Sequence, residues 1–223
     1  MYSLRKRVGR KEDTMTKKGK GNKSDEIVVI FVEGDADELI INRLLDYYKA
    51  NGWKRPKGIR VENIHGTPIW RNMRIRLSSI QQSQNTPVIF RAVCCEFDTD
   101  VFWNCIQIEP DWEHVKKELK KEFGVTEFCC LRAETSIEDW MLDDAQGILH
   151  ALGFPKNTRI KGDSGIGKME NLFLMKGMSY FKSKGKDKVK PVIDKLDIAK
   201  IREARKKELK EFEKLLGVTI NKR

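Results

Sequence analysis

The amino-acid sequence predicts an α/β fold, a central and mainly parallel sheet of about four strands with helices on both faces, followed by a helical C-terminal extension. Three observations predict it. Short apolar, β-branched runs alternate with longer segments whose apolar residues recur at three- and four-residue spacing. Glycines such as Gly34, Gly124 and Gly153 close several of these segments. Beyond residue 153 the strand pattern stops and only helical spacing continues.

The first run, 26–32 (EIVVIFV), is continuously apolar after its Glu, the pattern of a strand buried on both faces, and Gly34 ends it. Residues 37–50 place Leu39, Ile40, Arg43, Leu44 and Tyr47 at helical spacing. Residues 57–64 read as a short second strand, and 69–81 as a basic helix with Trp70, Met73, Leu77 and Ile80 on one face. The third strand is 87–97 (PVIFRAVCCEF); a charged amphipathic helix over 111–123 is closed by Gly124, and 125–131 is the fourth strand. A helix runs from near Ser136 to near Gly153, and two more cover 169–181 and 198–216, joined by a Lys-rich linker, 182–190. A parallel return between strands needs a crossover, so this alternation makes βαβ units. The chain divides into a basic disordered arm (1–24), an α/β core (25–153), and a glycine- and lysine-rich loop with a helical extension (154–223).

With 39% hydrophobic and 35% charged residues the chain reads as a soluble, cytoplasmic globular protein, and no apolar run approaches the roughly 18 residues that a membrane span needs. The formal charge of +11 is unevenly placed: residues 1–23 hold nine Lys or Arg against Glu12 and Asp13, a net of +7. So polar an arm does not repay the entropy of ordering, and its natural partner is a polyanion. Five cysteines, at 94, 95, 105, 129 and 130, lack Cys-x-x-Cys spacing and nearby histidines, which argues against structural zinc; they read as reduced core residues.

Two carboxylate motifs end predicted strands: Val32-Glu33-Gly34-Asp35, and Glu96-Phe97-Asp98-Thr99-Asp100. Carboxylates spaced i, i+2 at a strand end point to one side, so Asp98 and Asp100 can share a hard cation, and Glu33 joins them if strands one and three are neighbours. Such a cluster is costly without a cation, and phosphodiester chemistry uses one to screen charge, activate water and stabilise the leaving oxygen. Taken singly, each motif also reads as ordinary turn residues.

Together, VIFVEGDADE and the later VCCEFDTD resemble the Toprim domain, a Rossmann-like fold shared by topoisomerases, bacterial primases, small RNA maturases and the OLD-like (overcoming-lysogenization-defect) nucleases. The segment LRAETSIEDWMLDD (131–144), with Ser136-x-Glu138 at a strand-to-helix junction, is similar to the Ser-x-acid motif of the OLD-like branch. The resemblance implies Glu33, Asp98, Asp100 and Glu138 as ligands of Mg2+ or Mn2+, Ser136 as an orienting group, and Lys168 as the cation beside the scissile phosphate, with Lys161 and Lys176 as competitors. Ser136 also reads as a helix N-cap. The implied activity is metal-dependent hydrolysis of DNA or RNA, as an effector in phage defence or a mobile element. The chain shows no topoisomerase Tyr context, primase zinc module or ATPase region, which favours a free-standing nuclease or one served by a separate ATPase subunit. Alternatives are a specialised RNA maturase or tRNA-cutting enzyme, and a non-catalytic nucleic-acid-binding subunit whose carboxylates are turn residues.

Gly162 to Lys168 (GDSGIGK) has the spacing of a phosphate-binding P-loop, but Met169 stands where that loop needs Ser or Thr, and the preceding KNTRIK is no buried strand. Its glycines read instead as a mobile loop that delivers Lys168. Among the tryptophans, Trp103, next to the Asp pair, is the candidate for stacking on a base; the others read mostly as core.

Overall fold

The β-branched run at the start of the core forms β1 (Asp25–Val32), and the chain then alternates through α1 (Asp35–Ala50), β2 (Ile59–Asn63), α2 (Ile69–Gln82) and β3 (Val88–Asp98). A short α3 (Asp100–Trp103) precedes α4 (Trp112–Phe123) and β4 (Glu127–Ala133). The remainder is helical: α5 (Ile137–Leu142), α6 (Ala145–Ala151), α7 (Gly165–Leu174), α8 (Lys186–Ile193), α9 (Ile198–Ala204) and α10 (Lys206–Leu216). The structure is a computed structural model that describes residues 25–56, 58–66, 69–83, 87–103, 108–181 and 185–219. The basic arm and Cys105 lie outside them. No helix among the described residues is long and apolar enough to cross a membrane.

The sheet order is β2-β1-β3-β4, and every neighbouring pair is parallel, so the fold is the expected α/β class. From β1 the chain steps one way to β2 and later returns past β1 to β3 and β4. Right-handed crossovers in opposite directions put their helices on opposite faces. Accordingly α2 and α4 cover one face, with Met73, Leu77, Leu119 and Phe123 against Val29, Phe31, Phe90 and Val93. α1 and the later helices cover the other, against Val28, Ile30, Ala92 and Cys94. A register shift between Ile27 and Val28 pairs them with Phe90 and Ala92, so Arg91 is the extra residue of a bulge. That bulge resets the alternation of β3 and puts Cys94, Glu96 and Asp98 in step on the α1 side.

α4 meets the expectation closely. Asp111 Oδ1 accepts the Glu113 and His114 N–H groups at its start, and Gly124 ends it at φ +68°. Elsewhere tertiary partners redraw the boundaries. The helix expected from Ser136 to Gly153 breaks between α5 and α6, because Asp143 is bound by the Arg205 guanidinium and Asp144 accepts the Asp197 N–H at 2.8 Å. The helix expected over 198–216 breaks at Arg205 itself, which also bonds Glu208 and the Asp139 carbonyl. The linker expected over 182–190 runs into α8, whose Val189, Val192 and Ile193 are buried at helical spacing. On α2 the buried stripe is Ile69, Met73, Leu77 and Ile80, and Trp70 stands beside it, part exposed.

Residues beyond 153 share one hydrophobic core with the sheet. Tyr48 donates to Glu213 at 2.9 Å, Trp53 Nε1 to the Leu216 carbonyl at 3.2 Å, and Trp140 Nε1 to Glu208 at 2.9 Å. Each bond joins a core aromatic to α10.

Candidate metal centre

Between β1 and β3 the strand order reverses, and in open α/β sheets the crevice outside the carboxyl ends of strands at such a switch point is where ligands bind. Three fully buried carboxylates converge there. Asp37, Glu96 and Asp98 each offer one oxygen, and these oxygens all lie within 4.8 Å of one another. Glu96 and Asp98 are i, i+2 at the end of β3 and share its α1-facing side, while Asp37 comes from the first turn of α1.

The end of β3 is pinned to the end of β4. The Thr99 N–H donates to the Ala133 carbonyl at 3.1 Å, the Asp100 N–H to the Thr135 carbonyl at 3.2 Å, and the Thr135 N–H to Thr99 Oγ1 at 2.9 Å. Thr135 is held at φ +75°, a conformation that costs a β-branched residue on the order of 1–3 kcal/mol. Two residues on, the Ile137 N–H donates to Asp98 Oδ1, 2.9 Å away and buried. Glu138 follows directly and is fully buried. Its Oε1 accepts the Tyr180 hydroxyl at 2.6 Å, and its Oε2 is buried with no hydrogen-bond partner among the described residues. Burial first, then the neighbouring charges of Glu138, Asp37 and Asp98, push the Tyr180 hydroxyl well above the usual tyrosine range. Tyr180 is therefore a neutral donor beside an acidic pocket.

Of the residues singled out from the sequence, Asp98 is in the triad and Glu138 stands beside it on α5. Glu33 lies in the bend after β1, beyond the last paired residue of the strand, and is not one of the three. Asp100 is not one of them either: β3 ends at Asp98, and Asp100 already opens α3, so the i, i+2 relation does not reach it. Ser136 is the N-cap residue of α5, buried, but its hydroxyl bonds Asp139 Oδ2 at 3.2 Å rather than a backbone N–H. Lys168 sits in the first turn of α7, not in a mobile loop, and makes no ion pair among the described residues. The glycines before it serve close packing. A Cβ on Gly162 would lie 2.5 Å from the Lys168 nitrogen, and one on Gly165 2.9 Å from the Asp139 nitrogen, so α7 docks tightly on α5. Trp53 and Trp140 are core, and Trp103 is 63% exposed.

Asp37 and Glu96 are the two members of the cluster that the sequence reading did not single out. Glu96 carried a signal: a carboxylate inside an otherwise apolar strand is rarely buried without a reason. Asp37 carried none, since acidic residues in a first helical turn are explained by the helix dipole alone.

Searches of protein-family models, curated proteins and solved structures found no significant match for this chain. Three carboxylate oxygens suit a hard cation. Oxygens on one Mg2+ lie at most about 4.2 Å apart and on one Ca2+ about 5 Å apart, so the 4.8 Å spread closes on either with a small side-chain adjustment.

Proposed function

We propose that this chain is a divalent-cation-dependent phosphodiester hydrolase acting on DNA or RNA, the activity that its Toprim resemblance implies. The observation that carries the reading is the buried triad of Asp37, Glu96 and Asp98 at the switch point of a parallel sheet. In this reading the three carboxylates hold Mg2+ or Mn2+, and Glu138 Oε2 supplies a further oxygen. A cation held there supplies positive charge to the non-bridging oxygens of a phosphodiester and acidifies water. The protein's own part is to fix the ligands before substrate arrives: the Ile137 N–H sets the Asp98 carboxylate, and the zipped ends of β3 and β4 hold α5 against it. The basic arm, net +7, attracts the polyanionic substrate without reading its sequence, and binding through it weakens steeply with salt.

The same arm also supports a second reading, a nucleic-acid-binding subunit without catalysis, because its charge does not depend on the triad. One experiment separates them. Purified chain is incubated with DNA, rRNA and tRNA in Mg2+ or Mn2+, with EDTA as control, beside Glu96→Gln and Asp98→Asn. Hydrolysis predicts cleavage that EDTA stops and that either variant lowers about 100-fold or more, in line with the loss of a group acting on transition-state charge. Mn2+ at about 100 times its Kd should stabilise the wild type by about 2.7 kcal/mol and the variants by less. Intact substrate throughout, with retained binding, would leave the subunit reading standing.

A further inference from the structure

Glu138 is held differently from the triad. Its carboxylate is fully buried, one oxygen is occupied by the Tyr180 hydroxyl at 2.6 Å, and the other has no hydrogen-bond partner among the described residues. A 2.6 Å O–H···O contact is in the short, charge-assisted range, and it breaks the equivalence of the two carboxylate oxygens. Tyr180 does not come from the sheet or its first helices. It lies between α7 and α8, is 5% exposed, and stacks edge-on against Phe173 of α7 at 5.2 Å. Just beyond it the chain is fastened to the first turn of α1, where the Gly185 N–H donates to Asp35 Oδ2 at 3.3 Å and Lys186 pairs with Glu38 at 2.7 Å. The passage from α7 to α8 thus touches both helices that supply acidic side chains to the centre, α5 with Glu138 and α1 with Asp37.

We propose that Tyr180 is a positioning residue of the metal centre: by occupying Glu138 Oε1 it presents Oε2 to the cation held by Asp37, Glu96 and Asp98. This rests on the metal-centre reading above. A carboxylate with both oxygens equivalent can chelate, bridge or swing away; one with an oxygen held by a hydrogen bond has its rotation limited and favours ligation through the other oxygen. Such supporting hydrogen bonds are worth about 10–100-fold in metal affinity. The C-terminal helices then set the affinity of a site whose triad lies wholly in the first half of the chain.

The test is titration of full-length protein with Mn2+ alone, read by the electron paramagnetic resonance of the free ion. Tyr180→Phe, which removes one oxygen and keeps the ring, should weaken Mn2+ binding about 10-fold or more, while Phe173→Leu, which loosens the ring packing without touching Glu138, should stay within about twofold. In a Glu138→Ala background Tyr180→Phe should add nothing, since the two residues act as one unit. Wild type that binds no Mn2+ would overturn the metal centre and this inference with it. Binding by wild type and equal binding by Tyr180→Phe would overturn the role of Tyr180 alone. Should Tyr180→Phe fail to fold, wild type labelled in its four tyrosine rings with carbon-13 replaces it. The Tyr180 signal should then move with Mg2+ at the same saturation as binding, and a stationary signal would overturn the proposal.

Discussion

Asp98 belongs both to a turn and to the acidic cluster with one carboxylate. Its Oδ1 closes the β4-to-α5 turn by accepting the Ile137 N–H, while the same group stands with Asp37 and Glu96. Which side chains of β3 reach the centre is decided by strand parity, and the cysteines follow the same rule. Cys94 faces α1 and Cys95 faces α2, both fully buried, and Cys129 and Cys130 lie opposite them on β4. Burial pushes the Cys94 and Cys95 thiols well above the ordinary range, helped by Cys129 at the first and by Cys130, Glu96 and Glu33 at the second. Cys130 is pushed from 9.0 up to about 12, mainly by burial, with Arg132 opposing. A thiol whose folded value is raised holds its proton in the fold but loses it in the unfolded chain. Its stabilising contribution is therefore complete below pH 9 and is lost as pH rises toward about 12. Urea midpoints should fall between about pH 8 and about pH 11, and Cys130→Ala should reduce that fall. Equal alkaline losses in the variant and the wild type would show that the Cys130 thiol contributes nothing to it.

Elements whose periodicity and stop signals agree are the ones legible in the sequence. β1 and β3 are apolar runs, and α4 carries both its Asp111 cap and its Gly124 stop. Illegible are the breaks that a distant partner imposes. Nothing local ends a helix at Asp143 and Asp144; Arg205 and the start of α9 do. The strand ends beside the candidate site were legible, but not to the residue, because an element's last residue is not fixed by its apolar pattern alone. β3 stops at Asp98 and Asp100 opens α3, so the i, i+2 pair of the cluster is Glu96 and Asp98, and its third carboxylate, Asp37, comes from α1. α8 was hidden by its lysines, which occupy the exposed positions around Val189, Val192 and Ile193. If α8 is a core helix, Ile193→Ala should cost about 2–5 kcal/mol in urea unfolding, since it empties a fully buried site. Lys188→Ala, on the exposed side, should stay within about 0.5 kcal/mol. Equal, small losses at both positions would return this segment to the status of a linker.

On the scale of the whole molecule, the sheet has two faces with unequal means of cover. One is closed by α2 and α4, both encoded between β2 and β4. The other draws on the chain beyond residue 153 as well as on α1, α5 and α6, since Tyr48, Trp53 and Trp140 each hydrogen-bond a residue of α10. Removing residues 154–223 would uncover these three aromatics together. An aromatic side chain buries about 150–250 Å2, so exposing about half of each at about 25 cal/mol per Å2 costs about 6–9 kcal/mol for the three. That is comparable to the whole net stability of an ordinary domain, about 5–15 kcal/mol. The core and the extension should consequently unfold together. In urea the full chain is expected to show one transition, with tryptophan fluorescence and far-ultraviolet circular dichroism superimposed. A chain ending at residue 153 should retain helical signal but lose its near-ultraviolet spectrum and bind the dye ANS, the signs of a collapsed chain without fixed packing. A sharp cooperative transition in that shortened chain would show that the α/β unit folds alone, and that α10 is a cover laid over a finished core rather than part of it.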